Sequence, residues 1–133
     1  MIPLYLKSNI IKGGTVIKKK SDLNITEIEG LRGGVGKLKM IEILSKDELQ
    51  NEGKLFSRVI LEKNSSIGLH RHVNDFEVYY ILKGIGLVEE ESGTYTVNEG
   101  DVVYTCDGEQ HSLLNVGDSE LEMLAVVINN NCN

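Results

Sequence analysis

All three histidines of the chain fall in two short segments: His70 and His72 in GLHRHVNDFEVYYILKG, with Glu77 five residues on, and His111 in GEQHSLLN. Imidazole nitrogens with one carboxylate suit a borderline divalent ion, whereas calcium prefers oxygen ligands alone. The set points to iron, manganese, nickel, cobalt or zinc. In a strand His70 and His72 project from one face and can reach one ion together. Asn74 and Asp75 supply a bend, and a strand resuming at Phe76 and returning beside the first would bring Glu77 to the same ion. His111 must then come from a more distant strand of a closed or sandwiched sheet. Two other readings stay open: histidines engaged only in hydrogen bonds, and Glu77 orienting a histidine without touching the ion.

Groups that could handle a substrate are fewer. Arg58 lies in LFSRVILEK; with Phe56 and Ile60 inward it could grip a carboxylate or phosphate through two parallel hydrogen bonds. The opposite register turns Ser57, Val59 and Leu61 inward instead. Tyr79 shares the alternation parity of Glu77, so it can line a cavity and donate a proton, or sit in the core with its hydroxyl satisfied. Tyr104 has the same two readings. Asn115 is expected to satisfy a turn, and Met40 and Met123 to fill space.

These residues need strands to position them. KLKMIEILS alternates polar and apolar side chains, and LFSRVILEK follows it, ended by a turn at Asn64 and Ser65. Between them, Ser45 and Glu48 have capping-box spacing, which a single turn can satisfy. FEVYYILK is apolar on both faces, as expected of a strand with one face toward a cavity and the other against a second sheet or subunit. IGLVEEE and GTYTV read as a hairpin, and DVVYTC, HSLLNV and ELEMLAVVI as three closing strands. Short strands without a long helix predict an all-β sandwich or barrel.

The chain has 133 residues, the size of one domain. A formal charge of -6 and pI near 5.1, with Lys18, Lys19 and Lys20 as its main basic run, argue against nucleic acid as a partner. No apolar run approaches the roughly 20 residues that span a bilayer, and the opening MIPLYLKSN lacks a secretory core, so a cytoplasmic location is expected. Cys106 and Cys132 read as free thiols. GLRGGVGK resembles a phosphate loop superficially but lacks its GKS or GKT ending, which leaves a turn or a close backbone approach.

With these residues in view, the chain resembles a small single-domain cupin. His70, His72, Glu77 and Gly84 match the first family motif, and Gly100, Asp101, Gly108, His111 and Asn115 the second. Cys106 stands where the family usually has proline, and Gly68 lies closer to His70 than the leading glycine commonly does. The resemblance implies an antiparallel jelly-roll (double-stranded β-helix) barrel over residues 37–128. It places a metal at one end of the lumen, held by His70, His72, Glu77 and His111. It further implies an N-terminal extension over 1–36, exchanged between subunits of a homodimer in many small members, and a C-terminal tail over 129–133. The expected function is a divalent-metal-dependent enzyme acting on a small oxygenated metabolite, with Arg58 or Tyr79 orienting it. The alternative is a non-catalytic ligand-binding or sensory module with the same cavity.

Overall fold

The computed structural model describes residues 14–130. Expectations for 1–13 and 131–133, including the thiol of Cys132, lie outside the described residues. Among the described residues ten strands are formed: β1 (Ile25–Glu29), β2 (Lys37–Leu44), β3 (Gly53–Leu61), β4 (Ser66–Arg71), β5 (Asp75–Lys83), β6 (Gly86–Glu90), β7 (Gly93–Val97), β8 (Val102–Thr105), β9 (Gln110–Asn115) and β10 (Leu121–Asn129). The larger sheet runs β1-β2-β3-β10-β5-β8 and the smaller β4-β9-β6-β7. Every strand pairing among these ten is antiparallel.

Neither sheet closes on itself, which corrects the expectation of a barrel. Closure needs a hydrogen-bond ladder that continues around the ring. Here β1 and β8 are the edges of the larger sheet, and β4 and β7 those of the smaller. The chain changes sheet on either side of β4, at turns where Asn64 and Asn74 take left-handed φ values of 65° and 63°. The ladder therefore breaks where the chain crosses, and the jelly-roll stands as two facing sheets.

Strand alternation fills the space between them. Asp75, Glu77, Tyr79 and Ile81 of β5 point inward and are buried, while Phe76, Val78, Tyr80 and Leu82 point outward. The core joins Leu38, Val59, Leu61, Ile81, Leu121 and Met123 of the larger sheet to Ile67, Val88, Val97 and Leu113 of the smaller. Truncating such a buried leucine to alanine typically costs about 2–5 kcal/mol. Asn115 acts as the turn clamp expected of it: its Nδ2 donates to the carbonyls of Leu61, Glu62 and Ser119 at 3.1, 3.1 and 2.9 Å, and its Oδ1 accepts from the Gly117 N–H.

The glycine-rich segment makes a close backbone approach. Residues 30–36 form a strap that lies flat on β4, with a 3-10 turn at Leu31–Gly33. A Cβ on Gly34 would sit 2.2 Å from the Ser66 carbonyl oxygen, and one on Gly68 2.1 Å from that of Arg32. Only glycine fits at either place.

Candidate metal centre

Each of the four chemistry-bearing residues reaches the centre from a separate backbone position. His70 on β4 is directly paired with His111 on the neighbouring β9. His72 lies just past the end of β4, and Glu77 comes from β5 in the facing sheet. This corrects the expected route for Glu77, because β5 does not return beside β4 but crosses to the other layer. His111, distant along the chain, is the immediate neighbour of His70.

The donor atoms converge. Nε2 of His111 lies 3.0 Å from Nε2 of His70 and 3.1 Å from Nε2 of His72. Glu77 Oε1 is 2.9, 3.1 and 3.8 Å from the Nε2 atoms of His111, His72 and His70. One ligand atom from each residue falls within 4.8 Å of all the others. His111, Glu77 and His72 are buried, at 1%, 5% and 6% exposure.

The opposite ring nitrogens decide what the convergence means. His70 Nδ1 lies 2.8 Å from the Gly68 carbonyl oxygen, which can only accept, so that nitrogen carries a proton. His72 Nδ1 donates to Asp75 Oδ1 at 2.7 Å, and Thr105 Oγ1 lies 2.7 Å from His111 Nδ1, where it can accept in the same way. With Nδ1 protonated, each neutral ring turns a bare Nε2 lone pair toward the other two and toward a carboxylate. Four acceptors facing one another repel unless a cation or a shared proton stands between them. Three imidazoles and one carboxylate, each ring fixed from behind, fit a transition-metal ion.

Where a shared proton takes the place of the ion, burial raises the Glu77 carboxyl, but hydrogen bonds from His111, His70 and His72 hold it well below the usual carboxylate range. The hydrogen bond to Glu77 raises His72 despite the cost of burial, and Asp75 adds to the rise. Burial lowers His111, against the pull of Glu77 and with the help of its two histidine neighbours. Asp75 also pairs with Lys54 at 2.6 Å. Burial pushes its carboxyl up, while Lys54 and His72 more than offset this and keep it ionised.

A cavity of about 320 Å³ opens beside the cluster. Tyr79 lines it, stacked on the His111 ring with centroids 5.0 Å apart and planes 13° from parallel. Burial, and then the Glu77 carboxylate, raise its phenol well above its ordinary value. Arg58 is not brought to the centre: β3 turns Ser57, Val59 and Leu61 inward, and Arg58 pairs with Glu122 at 2.9 Å on the outer face. Tyr104 is also outside, exposed and edge-to-face with Phe76. Sequence reasoning missed Asp75, Thr105 and the Gly68 carbonyl as partners of the rings. Asp75, three residues after His72, was visible in the spacing. Nothing in the sequence marked the cavity-lining cations Arg32, Lys46, Lys54 and Arg71, because tertiary packing assembles them.

A model of the cupin domain matches residues 57–127, more than half of the chain. The chain belongs to the cupin family. A Thermotoga maritima protein named oxalate-binding protein is 40% identical to this cupin over 119 residues, 89% of this chain and 98% of that protein. A crystal structure described as a predicted oxalate decarboxylase from Thermotoga maritima superposes with a TM-score of 0.82 at 39% identity, covering 86% of this cupin and 99% of that chain. A cupin-superfamily sugar phosphate isomerase from Silicibacter pomeroyi, at 19% identity and a TM-score of 0.60 over 69% of this chain and 59% of its own, shares the fold alone. Among the described residues no helix is long and apolar enough to cross a membrane.

Proposed function

We propose that this cupin is a metal-dependent enzyme whose His70, His72, Glu77 and His111 hold one divalent transition-metal ion, and whose substrate is a small carboxylate of the oxalate class. The carrying observation is the set of three inward Nε2 atoms and one carboxylate beside a cavity lined by Arg32, Lys46, Lys54 and Arg71. Lys54 and Arg71 are paired with Asp75 and Glu91, but Arg32 and Lys46 have no carboxylate partner among the described residues, and unpaired cations at a small pocket favour an anion. The names of the two Thermotoga maritima relatives, an oxalate-binding protein and a predicted oxalate decarboxylase, support the same class.

The ion would supply Lewis-acid polarisation of a bound oxygen. The chain's own residues do the rest. Gly68, Asp75 and Thr105 lock the rings from behind, so donor positions are set before ligand arrives. Leu55, Ile67, Met123 and Val127 form apolar wall and restrict water. Tyr79, kept protonated by burial and by Glu77, turns its hydroxyl hydrogen toward that carboxylate and would steady it as a ligand. Iron, manganese, nickel, cobalt and zinc all accept this donor set. Metal analysis of protein purified from its native host, followed by reconstitution and an assay with oxalate, tests the reading. Turnover abolished by His72→Ala supports it, and metal-loaded protein that neither binds nor converts a small carboxylate contradicts it.

A non-catalytic binding module is the second reading, favoured by the relative named for oxalate binding. Stoichiometric binding without turnover distinguishes it. We also propose a homodimer, with residues 1–36 contributing to the contact. Tyr80, Val102 and Tyr104 expose contiguous apolar surface on the outer face of the larger sheet, in keeping with a second copy there. A net charge of -6 disfavours nucleic acid, and the free thiol of Cys106 suits the reducing cytoplasm.

A further inference from the structure

Arg32 is held in a conformation that a residue with a side chain seldom adopts. Its φ and ψ are 55° and 30°, in the left-handed region, inside a segment otherwise rich in glycine. A non-glycine residue there is strained and persists only where its surroundings impose it. The surroundings do impose it. Gly30 N–H donates to the Gly36 carbonyl at 2.9 Å, Ser66 N–H to that of Val35 at 2.8 Å, and Val35 N–H to Ser66 Oγ at 2.9 Å. The bare faces of Gly34 and Gly68 let the strap lie against β4. Gly68 thus seats the Arg32 backbone and orients His70 through its carbonyl oxygen.

The side chain serves no evident structural purpose. Lys54 is paired with Asp75, and Arg71 with Glu91 and the Gly108 carbonyl. Among the described residues the Arg32 guanidinium has neither a carboxylate partner nor a hydrogen-bond acceptor. Yet it lines the same cavity as His70, His72, Glu77 and Tyr79, close enough for its charge to act on the Tyr79 hydroxyl. A planar, permanently charged fork beside a pocket and without an internal partner is suited to a carboxylate taken from solution.

We infer that Arg32, aimed by the glycine strap, grips the carboxylate oxygens of the substrate and makes this cupin selective for dianionic over singly charged ligands. The inference rests on the proposed carboxylate-binding function. Arg32 is a binding residue, and the strap and Gly68 position it.

The test is calorimetric titration of the metal-loaded protein with oxalate and, separately, with oxamate, in which an amide replaces one carboxylate. Wild type is expected to prefer oxalate. Arg32→Gln and Arg32→Gly are expected to lose about 10- to 100-fold in oxalate affinity and much less in oxamate affinity, the range for charge-assisted hydrogen bonds. Metal content should not change. Glycine relaxes the left-handed backbone, so Arg32→Gly should melt at least as high as wild type while binding worse; a purely structural arginine would not give that combination. Equal oxalate affinity in wild type and Arg32→Gln overturns the inference alone. Failure of wild type to bind either probe overturns it together with the carboxylate reading.

Discussion

Ring nitrogens that face away from the cluster matter as much as those that face in. The Asp75 carboxylate is the only charged group among their three partners, and it is tied to Lys54 on its other oxygen. It fixes the His72 tautomer and makes that ring a better donor. Asp75→Asn removes the charge while keeping the shape, and is expected to weaken metal binding about 10- to 100-fold, measured by competition with a chelator. Unchanged affinity would mean that the Asp75 charge does not tune the His72 ring as a ligand. The four central residues were legible because histidine is scarce here and its spacing is short. The side-chain direction of Arg58 was not, since alternation in LFSRVILEK fits either register until packing chooses Ser57, Val59 and Leu61 for the interior. Tyr79 was placed correctly on the face of Glu77, because parity within one strand is local information.

Turns and straps hold the strands where these side chains need them. Ser45 and Glu48 form the reciprocal pair that their spacing suggested, with Ser45 N–H donating to Glu48 Oε1 at 2.9 Å and Glu48 N–H to Ser45 Oγ at 3.1 Å. Residues 46–51 are a run of turns, so the motif closes a loop and caps no helix. Lys18 bonds the same carboxylate and the Ile43 carbonyl, joining the N-terminal segment to β2. Burial raises the Glu48 carboxyl, but Lys18 and Ser45 more than offset it, and the group titrates below its ordinary value. Its stabilisation is therefore present above the ordinary carboxylate range and fades as pH falls through the lowered value. Glu48→Gln is expected to cost about 1–2 kcal/mol near neutral pH, with the gap from wild type closing in acid. Denaturant melts across that range check it; a gap that persists at low pH would contradict the ion pair. Strand existence was largely legible, but the pairing of β5 was not. A bend at Asn74 looks the same in sequence whether the chain doubles back or crosses to the other sheet.

Seen as a whole, the molecule is two open sheets with the candidate centre spanning the gap. His70 and His111 belong to the smaller sheet, Glu77 to the larger, and His72 to the crossing between them. An ion bound by all four would tie the layers together and stabilise the folded state by mass action. At a free metal concentration of 1,000 times Kd the gain is about 4 kcal/mol. Chelation is expected to lower the melting temperature and restoring the metal to recover it, by differential scanning calorimetry; a midpoint indifferent to metal would separate the cluster from the fold. The β class and the layered architecture were legible in strand spacing. Closure was not, because edge pairing depends on where the chain crosses rather than on how any strand is patterned.

His70, His72, Glu77 and His111 are proposed to meet on one ion. Anomalous diffraction from a metal-replete crystal would locate that ion. One transition-metal peak is expected within about 2.0–2.2 Å of three Nε2 atoms and a Glu77 oxygen. A peak at another site, or His111 turned away from it, would rule out the shared site.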